Sequence, residues 1–188
     1  MAISASVLPE LIDGPGELTL RRWTATDAPH LERAVTESVE HLRPWMPWAA
    51  EEPIGLRRRR QMIAGWEADW AEGGDVLMGI FLAGQIAGGC GLHRRIGPGG
   101  LEIGYWVHPA FLRRGLATGA AGLLAATTLD RPDISHVEIH HDKANHASAG
   151  VPRKLDFTLV AEVDEEPQAP AEIGVEWRWR LGAGAVLG

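Results

Sequence analysis

Apolar and polar positions repeat with two different periods along this chain, and each change of period marks a new element. Leu18–Thr19–Leu20–Arg21–Arg22–Trp23 alternates in character behind Gly14–Pro15–Gly16, which predicts a first strand. Thr26–Asp27 then offers a helix cap, with Pro29 early in a helix that continues towards His41. Pro44, Pro47 and Pro53 break the pattern and force an irregular connection through Trp45–Met46–Pro47–Trp48. Leu56, Ile63, Trp66 and Trp70 return at helical spacing, so 56–71 reads as an amphipathic helix. The Arg57–Arg60 run at its start reads as a solvated face in preference to an anion site, because the dipole there disfavours added positive charge.

From Asp75 onward the period shortens. Val76–Leu82 and Gln85–His93 are apolar runs separated by Ala83–Gly84, the pattern of a hairpin. Leu101–Val107 reads as a strand stopped by His108–Pro109, and Gly115–Leu129 as an alanine-rich helix ended by Asp130–Arg131–Pro132. Val137–His141, Phe157–Val163 and Ala171–Leu181 follow as strands, with a helix over Asn145–Leu155 between the first two. The sum is a mixed α/β domain of about seven strands and four helices. Helices separate the later strands, so some of those run parallel. The expected division is an N-terminal extension over 1–16, the domain over 17–181 and a flexible C-terminal tail over 182–188.

Composition narrows the function classes. The 188 residues carry 18 Lys and Arg against 25 Asp and Glu, a net charge of −7, which lacks the basic footprint of a nucleic-acid binder. A single cysteine, Cys90, excludes an internal disulfide and any multi-thiolate metal site, and it reads as a small buried hydrophobe. Met1–Gly16 contains no Lys or Arg, unlike the basic start of a secretory signal. The longest uncharged helix-like run, Gly115–Leu129, is too short and too rich in Gly and Thr to span a bilayer. The expectation is a cytoplasmic protein with neither membrane nor nucleic acid as partner.

The segment with most chemistry in it is Ile103–Gly104–Tyr105–Trp106–Val107–His108–Pro109–Ala110–Phe111–Leu112–Arg113–Arg114–Gly115–Leu116–Ala117–Thr118. A strand runs into a turn, and an Arg–Arg–Gly step opens a helix. The first turn of a helix offers free N–H groups and the positive end of its dipole, so it can hold a phosphate. Gly115 permits close approach, Ala117 keeps the turn uncrowded, and Arg113 and Arg114 add charge.

This segment resembles the acyl-CoA-binding motif of the GNAT N-acetyltransferase superfamily, Gln/Arg-x-x-Gly-x-Gly/Ala. Gly115 and Ala117 match, whereas Leu112 stands where the family has Gln or Arg. Downstream, Asn145–His146–Ala147–Ser148 and Lys154–Leu155–Asp156–Phe157 look like the family's Asn-x-x-Ser helix start and Lys-Leu-Gly-Phe ending. Leu42–Arg43–Pro44–Trp45–Met46–Pro47–Trp48 and Glu102–Ile103–Gly104–Tyr105–Trp106 resemble the RimJ/RimL-like branch, the protein N-terminal acetyltransferases.

The resemblance implies a GNAT fold in which two parallel strands, 101–107 and 137–141, splay apart around the pantetheine arm of acetyl-CoA. It implies cofactor contacts from Trp106, Val107, Arg113, Arg114, Gly115, Leu116, Ala117, Thr118 and Asn145, with the Val107 N–H facing the acetyl carbonyl. Glu102 is the implied base, while Ser148, or Tyr105 in its place, serves the leaving thiolate. Trp45 and Trp48 are candidates for the wall of the acceptor pocket. No metal is expected, because His140 and His141 are consecutive in a strand and point to opposite faces. Glu162, Asp164, Glu165, Glu166, Glu172 and Glu176 lie in a stretch without Lys or Arg, which suits either a solvated turn or attraction of a cationic acceptor. The implied reaction moves an acetyl group from acetyl-CoA to a primary amine, foremost a protein N-terminal α-amino group. A small amine such as an antibiotic, or a silent acyl-CoA-binding module, stays open beside it. The assembly is expected to be a monomer or a homodimer.

Overall fold

A computed structural model describes residues 8–184, so 1–7 of the expected N-terminal extension and 185–188 of the expected tail lie outside the described residues. The strands are β1 (Leu11–Asp13), β2 (Leu18–Arg22), β3 (Val76–Leu82), β4 (Gln85–His93), β5 (Gly100–Val107), β6 (His136–Asp142), β7 (Thr158–Asp164) and β8 (Val175–Gly182). The helices are α1 (Ala28–Leu42), α2 (Leu56–Glu72), α3 (Leu116–Leu129) and α4 (His146–Lys154). All eight strands form one sheet in the order β1-β2-β3-β4-β5-β6-β8-β7. Every neighbouring pair is antiparallel except β5 and β6.

The sheet therefore has one strand more than the seven expected. The extra one is β1, whose three residues pair with Arg21, Leu20 and Thr19 of β2. Three residues are too few to show an alternation, which is why pattern reading begins the sheet at Leu18. At the other end, Ala171–Gly174 forms a turn, and the last strand starts only at Val175.

Two cores flank the sheet. Leu101 and Ile103 of β5, Val137 and Ile139 of β6, and Leu116, Ala120 and Leu124 of α3 form the larger one. On the opposite face Trp23, Ala28, Leu31, Val35, Ile63 and Phe81 form the second, with Trp66 and Trp106 packed against it. Strand alternation sorts the residues. Odd positions of β5 face α3, while Glu102, Gly104 and Trp106 face the side of α1 and α2.

The Arg57–Arg60 run does not lie wholly in solvent. Arg57, Arg58 and Arg60 are exposed, but the Arg59 side chain is only 2% exposed. Its Nε donates to Glu32 Oε2 at 3.0 Å and a terminal nitrogen to Glu52 Oε2 at 2.7 Å. Glu32 also accepts from the Gly55 N–H at 2.8 Å. One buried guanidinium thus ties α2 to α1 and to the connection between them.

Candidate active site

The parallel pair separates along its length. Gly100, Leu101 and Glu102 pair with His136, Val137 and Glu138, and the ladder goes no further. The rest of β5 keeps its partner only on the β4 side, through Val107. The His108 N–H donates to Ala87 O at 2.8 Å, back towards β4. Alternation then turns the Tyr105 and Val107 amides to the other edge, into the gap beside β6. Strand-like pairing groups of an extended ligand fit that edge.

Below the gap, Arg113 has φ +61° and Gly115 has φ +73°, both left-handed, and Gly115 caps α3. No side chain caps the helix. Its first amides, at Leu116, Ala117 and Thr118, are thus left for a ligand, and successive N–H groups around such a turn form an anion cradle. A Cβ on Gly115 would meet nothing within 4 Å, so its backbone angle is what demands glycine there. The Arg114 guanidinium is pinned locally, over the Phe111 ring and to Ala110 O at 3.3 Å. Arg113 and Leu112 are exposed.

Tyr105 and Ser148 meet across the gap, with the phenol oxygen 3.1 Å from Ser148 Oγ. Burial pushes the Tyr105 phenol up to about 12, only partly offset by the hydrogen bond with Ser148. It therefore stays protonated at neutral pH and can donate. Asn145 caps α4, its Oδ1 accepting from the Ser148 N–H at 3.0 Å. That cap fixes Ser148 in place. Of the two roles weighed for Asn145, contact with the ligand or fixing the turn, the second is the one visible.

The same space opens on the opposite face into a cavity of about 870 Å³. Trp45, Trp48, Trp66 and Trp106 line it together with Met46 and Met62. Trp48 meets Trp106 edge to face at 6.3 Å. Trp106, which the resemblance placed with the cofactor, sends its side chain into this cavity. Gly89 makes room for it, since a Cβ there would sit 2.5 Å from Trp106 Nε1. The arrangement joins Trp45 and Trp48, expected from sequence, and Trp66 from the same segment to Trp106, whose place in the cavity the pattern did not reveal.

Glu102 also reaches this cavity, but it is engaged. Both of its oxygens accept from Arg95, Oε2 from Nε at 2.6 Å and Oε1 from a terminal nitrogen. The acidic stretch is likewise largely paired. Glu162 accepts from Lys143 at 2.9 Å and from the Trp177 indole at 2.7 Å, while Glu165 and Glu176 both hold Arg178 at 2.6 Å. Glu172 accepts backbone N–H groups of Gln168 and Ala169. The partners of Glu162 and Glu165 are distant in sequence and out of sight of a local charge count, whereas Glu172 and Glu176 are satisfied within four residues. Cys90 is buried, which pushes its thiol up and away from nucleophilic chemistry.

Among the described residues no group of three or more His, Cys, Asp and Glu is placed to hold a metal ion. His140 and His141 face opposite sides of β6, the first bonded to Glu138 and the second stacked on Trp179. Among the described residues no helix is long and apolar enough to cross a membrane.

Residues 17–158 match the acetyltransferase (GNAT) domain. The chain belongs to this family. YdaF of Bacillus subtilis (strain 168), provisionally named a ribosomal N-acetyltransferase, is 24% identical over 146 residues, covering 74% of this GNAT chain and 77% of the relative. The solved structure of RimL, a ribosomal L7/L12 alpha-N-protein acetyltransferase in complex with coenzyme A, superposes with a TM-score of 0.85 at 22% identity, covering 92% of this chain and 98% of that one. The microcin C7 self immunity acetyltransferase MccE, solved with acetyl-CoA and AMP, gives a TM-score of 0.85 at 19% identity over 94% and 98% of the two chains. Mycobacterium smegmatis RimJ, in complex with a CoA disulfide, gives 0.80 at 19% identity over 92% and 85%. The eight-stranded sheet with its split parallel pair is thus a GNAT fold, and membership fixes the chemistry as acetyl transfer.

Proposed function

We propose that this GNAT chain acetylates a protein N-terminal α-amino group with acetyl-CoA as donor. One observation carries the reading: the split between β5 and β6 lies between the uncapped start of α3 and a single cavity that holds both the Tyr105–Ser148 pair and the tryptophan wall. The amides of 115–118 would hold the pyrophosphate, with Arg113 adding charge from outside. The Tyr105 and Val107 amides would receive the pantetheine arm as an added strand, and the Val107 N–H would face the acetyl carbonyl. Acetyl-CoA supplies a thioester whose carbonyl accepts an amine and whose thiolate departs. The Tyr105–Ser148 pair, its oxygens 3.1 Å apart, holds a proton for that thiolate.

The RimL and RimJ likenesses, with the name of YdaF, support a peptide amine as acceptor. The cavity's apolar wall favours an amine carried on a bulky apolar body, which also suits a small aromatic amine, and the MccE likeness supports that second reading.

The test is release of CoA from acetyl-CoA with a panel of peptides, the same peptides blocked at the amino terminus, and small aromatic and aliphatic amines. The reading expects release with free-amine peptides and none with the blocked ones. Turnover on small amines alone would replace the acceptor. Tight CoA binding without turnover on any amine would leave a silent acyl-CoA-binding module.

A further inference from the structure

The Glu102 carboxylate offers both oxygens to Arg95, yet the attacking nitrogen must lose a proton. A second group stands beside it. The His140 side chain is 9% exposed and lines the cavity that holds Tyr105, Ser148 and the tryptophans. Its Nε2 lies 2.6 Å from Glu138 Oε2. Burial pushes the Glu138 carboxyl up, but hydrogen bonds from His140 and Arg180 outweigh that and hold it below the usual carboxylate range. An ionised carboxylate only accepts, so His140 Nε2 carries the hydrogen and, in the neutral ring, Nδ1 is the bare nitrogen. Arg180 fixes the far side of Glu138 through Nε to Oε1 at 2.7 Å. Nδ1 makes no hydrogen bond to the described residues. Glu176 Oε1 and Glu102 Oε2 stand 3.5 and 3.7 Å from it.

Resting on the acetyl-transfer reading, the geometry points to His140 as the base that takes the proton from the acceptor amine, with Glu138 as its positioning residue. The constellation is carboxylate, imidazole and an open ring nitrogen at a cavity, the logic by which a buried acid orients a catalytic histidine. Glu102 and Glu176 take a different part. They stabilise the imidazolium once formed, and Arg95 and Arg178 keep their charges in place. In the step, the nitrogen–carbon bond forms as the carbon–sulfur bond breaks with its electron pair to CoA. The proton from nitrogen goes to His140 Nδ1 and then to water. The thiolate takes a proton from the Tyr105–Ser148 pair, which water restores.

The charged groups facing His140 are Glu102 on β5, Arg95 after β4, Glu138 on its own strand, and Glu176, Arg178 and Arg180 on β8. They set the sign of the pH dependence. His140 works with Nδ1 bare, so protonating the ring removes the base and kcat/KM falls on the acid side. Loss of the Glu138 or the Glu102 charge destabilises the imidazolium and moves that acid limb to lower pH.

The experiment measures pH profiles of kcat/KM with the peptide that the wild-type protein acetylates, for His140→Gln, Glu138→Gln and Glu102→Gln, alongside CoA affinity by calorimetry. His140→Gln is expected to lose about a hundredfold in rate and the acid limb, with CoA affinity unchanged. Glu138→Gln and Glu102→Gln should each shift the limb down without abolishing it. In the ligand-free protein, side-chain ¹⁵N spectra should show His140 with hydrogen on Nε2. A Nδ1–H tautomer, or an acid limb that survives in His140→Gln, overturns the assignment while leaving acetyl transfer standing. A wild-type protein that turns over no amine overturns both.

Discussion

Arg59 shows what a single residue contributes when its partners are far away in sequence. Four consecutive arginines look like a solvated helix face, and three of them are. The fourth closes a buried clamp with Glu32 and Glu52, 27 and 7 residues away, and no local pattern announces such partners. Because both carboxylates stay behind when the guanidinium goes, Arg59→Leu should cost about 3–5 kcal/mol of stability, read from chemical denaturation. A loss under about 1 kcal/mol would mean the pair is exposed to water in solution. His141 gives a second residue-scale expectation. Burial lowers its titration; its Nδ1–H donates to Asp142 O at 2.8 Å and its Nε2 accepts from the Trp179 indole at 2.9 Å. The neutral ring is thus satisfied on both sides. The unfolded chain takes the proton first, so this contribution to stability is present above about pH 6.5 and is lost as pH falls below it. A ¹⁵N titration should place the His141 midpoint below that of a free histidine, and a midpoint above it would contradict the packing.

Elements were far more legible than residues, because each carries its own punctuation. Pro29 opens α1, Ala83–Gly84 turns the β3–β4 hairpin with both residues at positive φ, and Asn145 caps α4. The motif around Gly115 was readable for the same reason: a left-handed cap needs glycine, and the residue survives in the sequence. Gly115→Glu adds backbone strain of roughly 1–2 kcal/mol and a negative charge beside the phosphate cradle. CoA affinity should fall at least tenfold by calorimetry, with the fold intact by circular dichroism. Unchanged affinity would place the pyrophosphate elsewhere. What the elements hid was orientation near the mouth of the gap. Trp106 sits within the motif that resembles the cofactor site, yet strand alternation sends its ring into the tryptophan-lined cavity, where the glycine at 89 admits it.

At the scale of the whole molecule, a charge of −7 is an average that did not describe the site. The acidic stretch, read along the chain, suggested a lure for cationic acceptors. In the folded sheet β8 lies between β6 and β7 and brings Arg178 against Glu165 and Glu176, while Lys143 holds Glu162, so half of the lure is spent on internal ion pairs. In the proposed reading, selection of the acceptor falls to the tryptophan wall and to His140. Family membership was legible from three motifs in order, since backbone amides at a gap and a cap demand particular small residues. The strand order that assembles Glu138, His140 and Glu176 was not, because it arises from β8 inserting between earlier strands.

The most direct measurement uses one peptide carrying a free amino terminus and an internal lysine, incubated with the protein and acetyl-CoA and mapped by mass spectrometry. The account predicts acetylation on the terminal nitrogen and none on the lysine. Acetyl on the lysine alone, or on neither amine while small aromatic amines are consumed, would contradict it.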